Sequence, residues 1–191
     1  MKNKLLQKIN TKKAIGITLT FIIAFTIGFY TGRNTLNLRE ETVIHGYIII
    51  ETYNAKGELI SHYETHNILV TQGATYIRDL LAFGVTNSNF TIYISMSADQ
   101  TPQASWTVLP NELTSAGMNR AEGSAYPVNA TCFKVNHTFT ATADVTVNCT
   151  GLNYSPVELS ETLFCAGSFT DQNLSVDSQI IVTWYVNIVS G

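Results

Sequence analysis

The sequence predicts a mainly β protein: an antiparallel, jelly-roll-like β-sandwich with one short helix, preceded by an N-terminal transmembrane helix. Three observations support this. An uncharged apolar run occupies 14–30, strand-length segments with alternating apolar and polar residues recur from Thr42 onward, and one segment near Thr71 has helical spacing. The predicted divisions are a basic cytoplasmic segment (1–13), a membrane segment (14–30), a tether (31–41) and one extracellular domain (42–191).

The membrane segment, Ala14 to Tyr30, follows five lysines and no acidic residue. Because positive residues stay in the cytoplasm, the N-terminus is expected inside and the domain outside the cell. Seventeen residues span roughly 25 Å, slightly less than the hydrocarbon core, and Lys13 and Arg33 can snorkel to cover the difference. Thr26-Ile27-Gly28 is a poor signal-peptidase site, so the pattern favours an uncleaved signal anchor in the cell membrane.

The junction between Lys13 and Ala14, where the apolar run begins, has a second interpretation that stays open. Lys12-Lys13-Ala14 before an apolar run resembles the class III signal of archaeal pilin-like proteins. That resemblance implies cleavage after Ala14, a mature chain that begins at Ile15, and a filament subunit.

Charge restricts the partners of the domain. Only 13% of the residues are charged. Beyond residue 13 the chain has six basic residues and all 14 acidic ones, a net charge of −8. Such a balance argues against nucleic acid and anionic lipid headgroups as ligands. The expected partners are the bilayer, through 14–30, and other copies of the chain, through strand edges rich in Thr and Ser.

The first part of the domain predicts a hairpin and then a helix. Strands at 42–53 and 58–70 flank a turn that ends at Gly57. Thr71 is a plausible N-cap for a helix of about 11 residues, and Gly84 follows as a stop. Because the helix is short, it must pack on the sheet to persist.

The second part predicts strands joined by turns. A strand at 90–97 is followed by a long loop, 98–115, which Trp106 ties down. Alternation is clearest at 133–143, and a turn at Asp144 is expected to pair this strand with 145–150. This alternation places Val135, Phe139, Val147 and Cys149 inward and Thr150 outward. Further strands are expected at 163–170 and 179–189. The last strand places these residues on one face: Ile180, Val182, Trp184, Val186 and Ile188.

Six Asn-x-Ser/Thr sequons lie beyond the membrane segment and predict N-glycosylation of an exported domain. They are Asn89, Asn129, Asn136, Asn148, Asn153 and Asn173. Asn136 and Asn148 fall on the outward side of their strands, where a glycan could stand.

The three cysteines of an exported protein raise the question of a disulfide. Cys132 has the opposite parity to Cys149 in the expected hairpin, so Cys149 to Cys165 is the best single bridge. The absence of any bridge is the alternative.

No residue pattern predicts catalysis, and the chain is expected not to be an enzyme. His62, Glu64 and His66 share one strand face, but donors 6–7 Å apart do not converge on a metal without a bend, so a polar face is favoured. His45 is isolated, and His137 is expected to be a hydrogen-bonded interior residue. Asp171 and Asp177 are expected to cap a turn. No catalytic, cofactor-binding or metal-ligating residue is therefore assigned.

From His66 to Ile188 the order of features resembles a β-sandwich module of phage tail or baseplate proteins and of archaeal cell-surface proteins. The resemblance is carried by HNILVTQGATYIRDLLAFG (66–84), ELTSAGMNRAEGSAY (112–126), FTATADVTVNCTGLNYS (139–155), LFCAGSFTD (163–171) and DSQIIVTWYVNI (177–188). It implies a structural, assembling module without catalytic residues. The membrane segment departs from virion proteins and favours a cell-surface relative.

The functional expectation is a membrane-anchored, N-glycosylated structural or assembly protein of the cell surface. The pilin-like filament subunit is one alternative. A carbohydrate- or receptor-binding module, with Trp106 in loop 98–115 as its site, is another.

Overall fold

The computed structural model describes residues 42–83, 92–98 and 101–190. The segments predicted for 1–13, 14–30 and 31–41, including the junction Ala14–Ile15, lie outside these residues, and so does Asn89. Within the described ranges, no helix is both long enough and apolar enough to cross a membrane. From Thr42 onward the chain forms one compact unit.

The described residues contain ten strands and one helix. In chain order these are β1 (Thr42–Tyr53), β2 (Leu59–His66), β3 (Ile68–Leu69), α1 (Thr71–Phe83), β4 (Tyr93–Ser97), β5 (Ala121–Glu122), β6 (Ser124–Pro127), β7 (Cys132–Thr140), β8 (Val145–Asn153), β9 (Leu163–Leu174) and β10 (Gln179–Ser190).

The strands form two five-stranded antiparallel sheets. The first has the order β2-β1-β10-β7-β6 and the second the order β3-β9-β8-β4-β5. Side chains of both sheets meet in one core, where Ile50 and Trp184 of the first lie with Met96 and Leu152 of the second. The prediction of a mainly β, antiparallel domain with one short helix is confirmed, and the shared core is that of a β-sandwich. The jelly-roll-like strand order stays a prediction.

Strand β10 shows how the sequence pattern becomes packing. Ile180, Val182, Trp184 and Val186 are buried, as their alternation predicts. Ile188, which was expected on the same face, is about half exposed at the end of the strand. The buried row lies in the middle strand of the first sheet, and it therefore anchors both neighbours, β1 and β7.

The predicted second strand, 58–70, is wrong as one element, because the chain changes sheets within it. β2 pairs with β1, but after Asn67 the chain continues as β3 beside β9 in the second sheet. The Asn67 N–H still donates to the Gly46 carbonyl at 3.3 Å, and the Val70 N–H donates to the Phe164 carbonyl at 3.2 Å. A strand that passes from one sheet to the other keeps its apolar pattern, so the sequence does not reveal the change.

The predicted hairpin of 133–143 with 145–150 is also wrong. β7 pairs with β10 and β6, whereas β8 pairs with β9 and β4 in the other sheet. The link between them crosses the sandwich, and the Ala141 N–H donates to the Ser178 carbonyl at 2.9 Å. The predicted facing of side chains holds for Val135, Phe139 and Val147, which are buried. Alternation reports which face a side chain occupies, but not which strand lies beside it.

The second sheet is covered on both faces. Helix α1 packs against β9 at Gly73, where an added Cβ would lie 2.2 Å from the Phe164 carbonyl oxygen. Leu109 packs on the outer side of this sheet, against Cys149, together with the half-buried Trp106. Trp106 thus ties down its loop, as expected. Thr150, predicted to face solvent, is fully buried on the inner face of this sheet, opposite Met96, because a β-bulge between Val147 and Cys149 reverses the alternation of β8.

Candidate functional site on the open face and edge of the first sheet

One row of side chains crosses the outer face of the first sheet from edge to edge. The strand registers place five residues directly opposite one another, in the order His66, Tyr47, Tyr185, Lys134 and Tyr126. Their sequence neighbours Ile48, Trp184 and Val135 point inward and are fully buried. The alternation of a pleated strand therefore turns the whole row outward. We refer to these five residues as the aromatic row.

The rings of the aromatic row interact with one another. Tyr47 and Tyr185 stack with centroids 4.4 Å apart and an interplanar angle of 8°. At the other end, the Lys134 Nζ lies 5.6 Å from the centroid of the Tyr126 ring, within the range of a cation–π contact. The result is a flat strip of apolar ring faces with hydroxyl groups and one ammonium along it. Such surfaces suit ligands or partners that are apolar on one side and polar at the rim.

Burial raises the pKa of the Tyr47 hydroxyl, and the neighbouring Tyr185 adds to the shift. A phenol is protonated at neutral pH in any case, and the raised pKa extends this state to more alkaline solution, so the hydroxyl can donate as well as accept a hydrogen bond.

Beside the row, next to strand β2, lies a shallow groove of about 470 Å³. Tyr47, Ile49, Glu64, Thr65 and His66 line it. The groove is open to solvent, and Glu64 gives it a carboxylate.

His62 lies one step further along the edge, between two carboxylates. Its Nδ1 is 3.5 Å from Glu51 Oε1, and its Nε2 is 3.4 Å from Glu64 Oε1. Each imidazole nitrogen has its own carboxylate, and in the described ranges no three His, Cys, Asp or Glu side chains gather to hold a metal ion. The arrangement is one of paired charges on a polar strand face. His66 stands at the end of the aromatic row instead.

Strand β2 also forms an edge of the sheet. Of the four edge strands in the described residues, β3 and β5 have two residues each, and β6 has four, ending at Pro127. β2 has eight residues, without proline or lysine. Proteins usually shorten, bend or charge their edges with lysine to prevent further pairing. The β2 edge lacks these protections except for an irregularity in its register with β1, between Thr52 and Tyr53.

One hydrogen bond between β1 and β2 determines which backbone groups of β2 point away from β1. Because the Asn67 N–H donates to the Gly46 carbonyl, Asn67 and Gly46 form a hydrogen-bonded pair. Hydrogen-bonded and non-bonded pairs alternate along antiparallel strands. Thr65 and Tyr63 therefore bond to β1, whereas His62, Glu64 and His66 present their N–H and C=O groups to the outside.

Within the described residues there is one buried ion pair, which no sequence pattern indicated. The Arg120 Nε donates to Glu112 Oε1 at 2.7 Å and its Nη2 to Glu112 Oε2 at 2.8 Å, and both side chains are fully buried. Arg120 Nη1 also donates to the Ser155 carbonyl at 3.1 Å and to Thr162 Oγ1 at 3.0 Å. The pair fastens the β8–β9 connection to the loop before β5. It has no access to a substrate, so its role is structural.

The predicted disulfide between Cys149 and Cys165 is wrong. All three cysteines are free and buried. Cys149 lies opposite Ser168, whereas Cys165 lies opposite Leu152. This offset of three residues amounts to roughly 10 Å along the strands and puts the two thiols on opposite faces of the sheet, too far apart to bridge. Burial raises the pKa of Cys149 to about 12 and also raises that of Cys165, so neither is a nucleophile at neutral pH.

The sequons differ in accessibility. Asn129 and Asn173 are exposed, and Asn136 and Asn148 are half-buried. The Asn148 Nδ2, the atom that would carry a glycan, donates to Asp171 Oδ1 at 2.9 Å. Asn153 is fully buried, and its Nδ2 donates to Ser95 Oγ at 2.9 Å. A glycan on Asn153 does not fit this folded position, because the loop cover closes the outer face of the second sheet.

Four isolated residues take ordinary structural positions. His137 is half-buried, and its Nδ1 lies 2.9 Å from the Glu122 carbonyl oxygen, as expected of a hydrogen-bonded residue. His45 is exposed on β1. Asp177 has a φ of 66° in the turn between β9 and β10, and Asp171 lies within β9 instead of in that turn.

Comparisons of the chain with protein-family models, with curated proteins and with solved structures found no match. The resemblance to phage tail or baseplate modules and archaeal surface proteins therefore stays a prediction. Among the described residues, the first sheet combines stacked tyrosines on its outer face with an eight-residue edge strand.

Proposed function

We propose that this chain is a membrane-anchored, N-glycosylated structural protein of the cell surface, and that its extracellular β-sandwich associates with neighbouring copies. The observation that carries the proposal is the β2 edge, which has eight residues, no lysine and no proline. Beside it lies the aromatic row, and tyrosines are enriched in protein interfaces. The apolar segment 14–30 behind five lysines supplies the anchor.

The self-association test uses the full-length chain in detergent. Sedimentation equilibrium should show reversible association, and Glu64→Pro should abolish it, because proline removes an N–H that faces outward. Proline is tolerated at such an edge position, so the fold should survive. Glu64→Ala is the matched control, since it removes the carboxylate but keeps the N–H. Identical association of the proline and alanine variants would exclude the edge, and a monomer at all concentrations would exclude the proposal.

Topology and processing have their own test. The mass of the mature protein from its native host should correspond to an uncleaved N-terminus, with added glycan mass. A mature chain that begins at Ile15 would contradict the anchored protein and would support the filament subunit instead.

Glycan binding is a second candidate function, and the aromatic row favours it. Stacked tyrosines on an open sheet face offer apolar surface to the C–H face of a sugar ring and hydroxyl groups to its rim. This moves the expected site away from Trp106, which is used in packing. Tyr185→Ala should then abolish binding of oligosaccharides on a glycan array. Tyr53→Ala, on the same outward face but outside the row, should not. Equal binding by both variants would exclude the row as a sugar site.

A further inference from the structure

We infer that two copies of this chain pair through their β2 strands, antiparallel and in one register, with the two Tyr63 residues facing each other on a twofold axis. The inference rests on the proposed self-association and names its geometry. In this register His62 of each copy lies opposite Glu64 of the other. The two first sheets then join into one continuous sheet.

The outward backbone groups of β2 limit the possible registers. A second strand can hydrogen-bond only to His62, Glu64 and His66, whose N–H and C=O groups point away from β1. A symmetric antiparallel pair must therefore set members of this set opposite one another, in hydrogen-bonded pairs. Five registers satisfy this, with the axis at any residue from 62 to 66. An axis at residue 65 or 66 sets Asn67 and Ile68, where the chain leaves the first sheet for the second, opposite the middle of the other strand. Three central registers therefore remain, with the axis at residue 62, 63 or 64.

Charge selects among these three registers. An axis at residue 62 sets the two His62 side chains opposite each other, and an axis at residue 64 does the same with the two Glu64 carboxylates. Like groups directly opposite destabilise a strand pair, whereas an imidazole opposite a carboxylate stabilises it. Of the three central registers, the axis at Tyr63 alone gives each His62 a carboxylate and each Glu64 an imidazole, in two equivalent pairs.

The side chains within β2 already show this complementarity. His62 Nε2 lies 3.4 Å from Glu64 Oε1 of the same chain, and both side chains are exposed. In the pair, the His62 and Glu64 side chains of the two copies lie at the corners of a square. Each imidazole has one carboxylate as its neighbour along its own strand and another across the strand pair. On the other face, Ser61 lies opposite Thr65 of the second copy, and hydroxyl pairs are favourable across strands.

The extent of the pairing is limited at one end. The register of β1 with β2 shifts between Thr52 and Tyr53, so Ile60 has no partner in the ladder. The strand is irregular there, and the two central pairs contribute roughly four backbone hydrogen bonds. The association is therefore expected to be reversible. It is also closed, because a twofold pair uses up the edge of both copies.

Cysteine scanning of the full-length chain in detergent tests the register. Residues 61 to 65 are replaced by cysteine one at a time and oxidised mildly. The natural cysteines, Cys132, Cys149 and Cys165, are buried and should not react. Tyr63→Cys should cross-link fastest, because residues on the axis lie opposite each other at roughly 4.5 Å between Cα atoms. Ser61→Cys and Thr65→Cys are matched controls, since each pair would be roughly 13 Å apart.

The outcomes separate this inference from the proposed function. Fastest cross-linking at residue 62 or 64 would overturn the register, and reversible association without cross-linking at any of the five positions would overturn the β2 interface. In both cases self-association itself would stand. A chain that stays monomeric would contradict both the inferred β2 pairing and the proposed self-association.

A charge exchange gives an independent check. Glu64→Lys should raise the dissociation constant roughly tenfold, because a lysine then lies opposite each His62. Adding His62→Glu should restore the affinity of the natural chain by reversing both pairs. Failure of the double variant to regain affinity, with its fold intact by circular dichroism, would contradict the assigned register.

Discussion

The two sheets of this domain each have five antiparallel strands, but they differ in how their outer faces are covered. The second sheet is closed: helix α1, Trp106 and Leu109 cover it, and the buried pair of Arg120 and Glu112 fastens the connections around it. The first sheet leaves its outer face open, with the aromatic row across it and the long β2 edge at its side. Chemistry that could stabilise the fold is therefore concentrated around the second sheet, and chemistry that could recognise a partner on the first.

The comparison predicts that substitutions around the second sheet reduce stability, whereas those on the first sheet change association or binding. The largest effect should come from Arg120→Met, which leaves the Glu112 carboxylate buried without its partner. The free energy of unfolding should fall by about 3–5 kcal/mol in urea denaturation. The double variant with Glu112→Leu should regain part of this loss. A loss of only about 1 kcal/mol, as for an exposed pair, would contradict the structural role.

The next largest effect is expected at the helix. Gly73→Ala should destabilise the domain by about 1–3 kcal/mol, because the new methyl group meets the Phe164 carbonyl and must push helix α1 away from β9. Ala74→Ser, on the exposed side of the same turn, is the control and should stay within about 0.5 kcal/mol. If both variants unfold at the same urea concentration, the helix does not pack against β9 at Gly73.

A smaller effect should appear at alkaline pH. Burial raises the pKa of Cys149 from 9.0 to about 12, so the unfolded thiol ionises first. Above pH 9 the unfolded state binds fewer protons than the folded state, and stability falls by roughly 1.4 kcal/mol per pH unit until pH 12. Between pH 8 and pH 10, the natural chain should lose more stability than Cys149→Ala. Equal losses in the two proteins would show that this thiol is not the cause.

The smallest effect should be found on the open face. Lys134→Met removes the cation above the Tyr126 ring, and at such an exposed site the loss should be at most about 1 kcal/mol. Lys56→Met, in the exposed turn between β1 and β2, is the control. A loss comparable to that of Arg120→Met would mean that the two sheets do not differ in the way described.

Much of the fold could be predicted from local patterns. The alternation in β10 and β7 identified the inward residues, and helical spacing identified α1. Apart from the β1–β2 hairpin, pairing could not be predicted, because the corner after Thr140 and the change of sheet at Asn67 leave the alternation undisturbed. Thr150 was assigned to the wrong side because the β-bulge between Val147 and Cys149, which the residue pattern does not reveal, reverses the alternation of β8.

The candidate site shows the same limit. The outward parity of Tyr47 and Tyr185 can be predicted from their own strands. Their stacking cannot, since it depends on the register of two strands at opposite ends of the domain. The Arg120–Glu112 pair lies within one quoted motif, 112–126, yet nothing local distinguishes these charges from solvated ones. Open edges likewise become visible only when the strand order is known.

The β2 edge of the first sheet is the surface through which we propose that copies of the chain associate. Hydrogen exchange of the full-length chain, measured by mass spectrometry at low and high protein concentration, tests it directly. The outward amides of His62 and Glu64 should exchange more slowly at high concentration, whereas loop 101–120 over the second sheet should not change. Slower exchange in that loop, with β2 unaffected, would contradict the account.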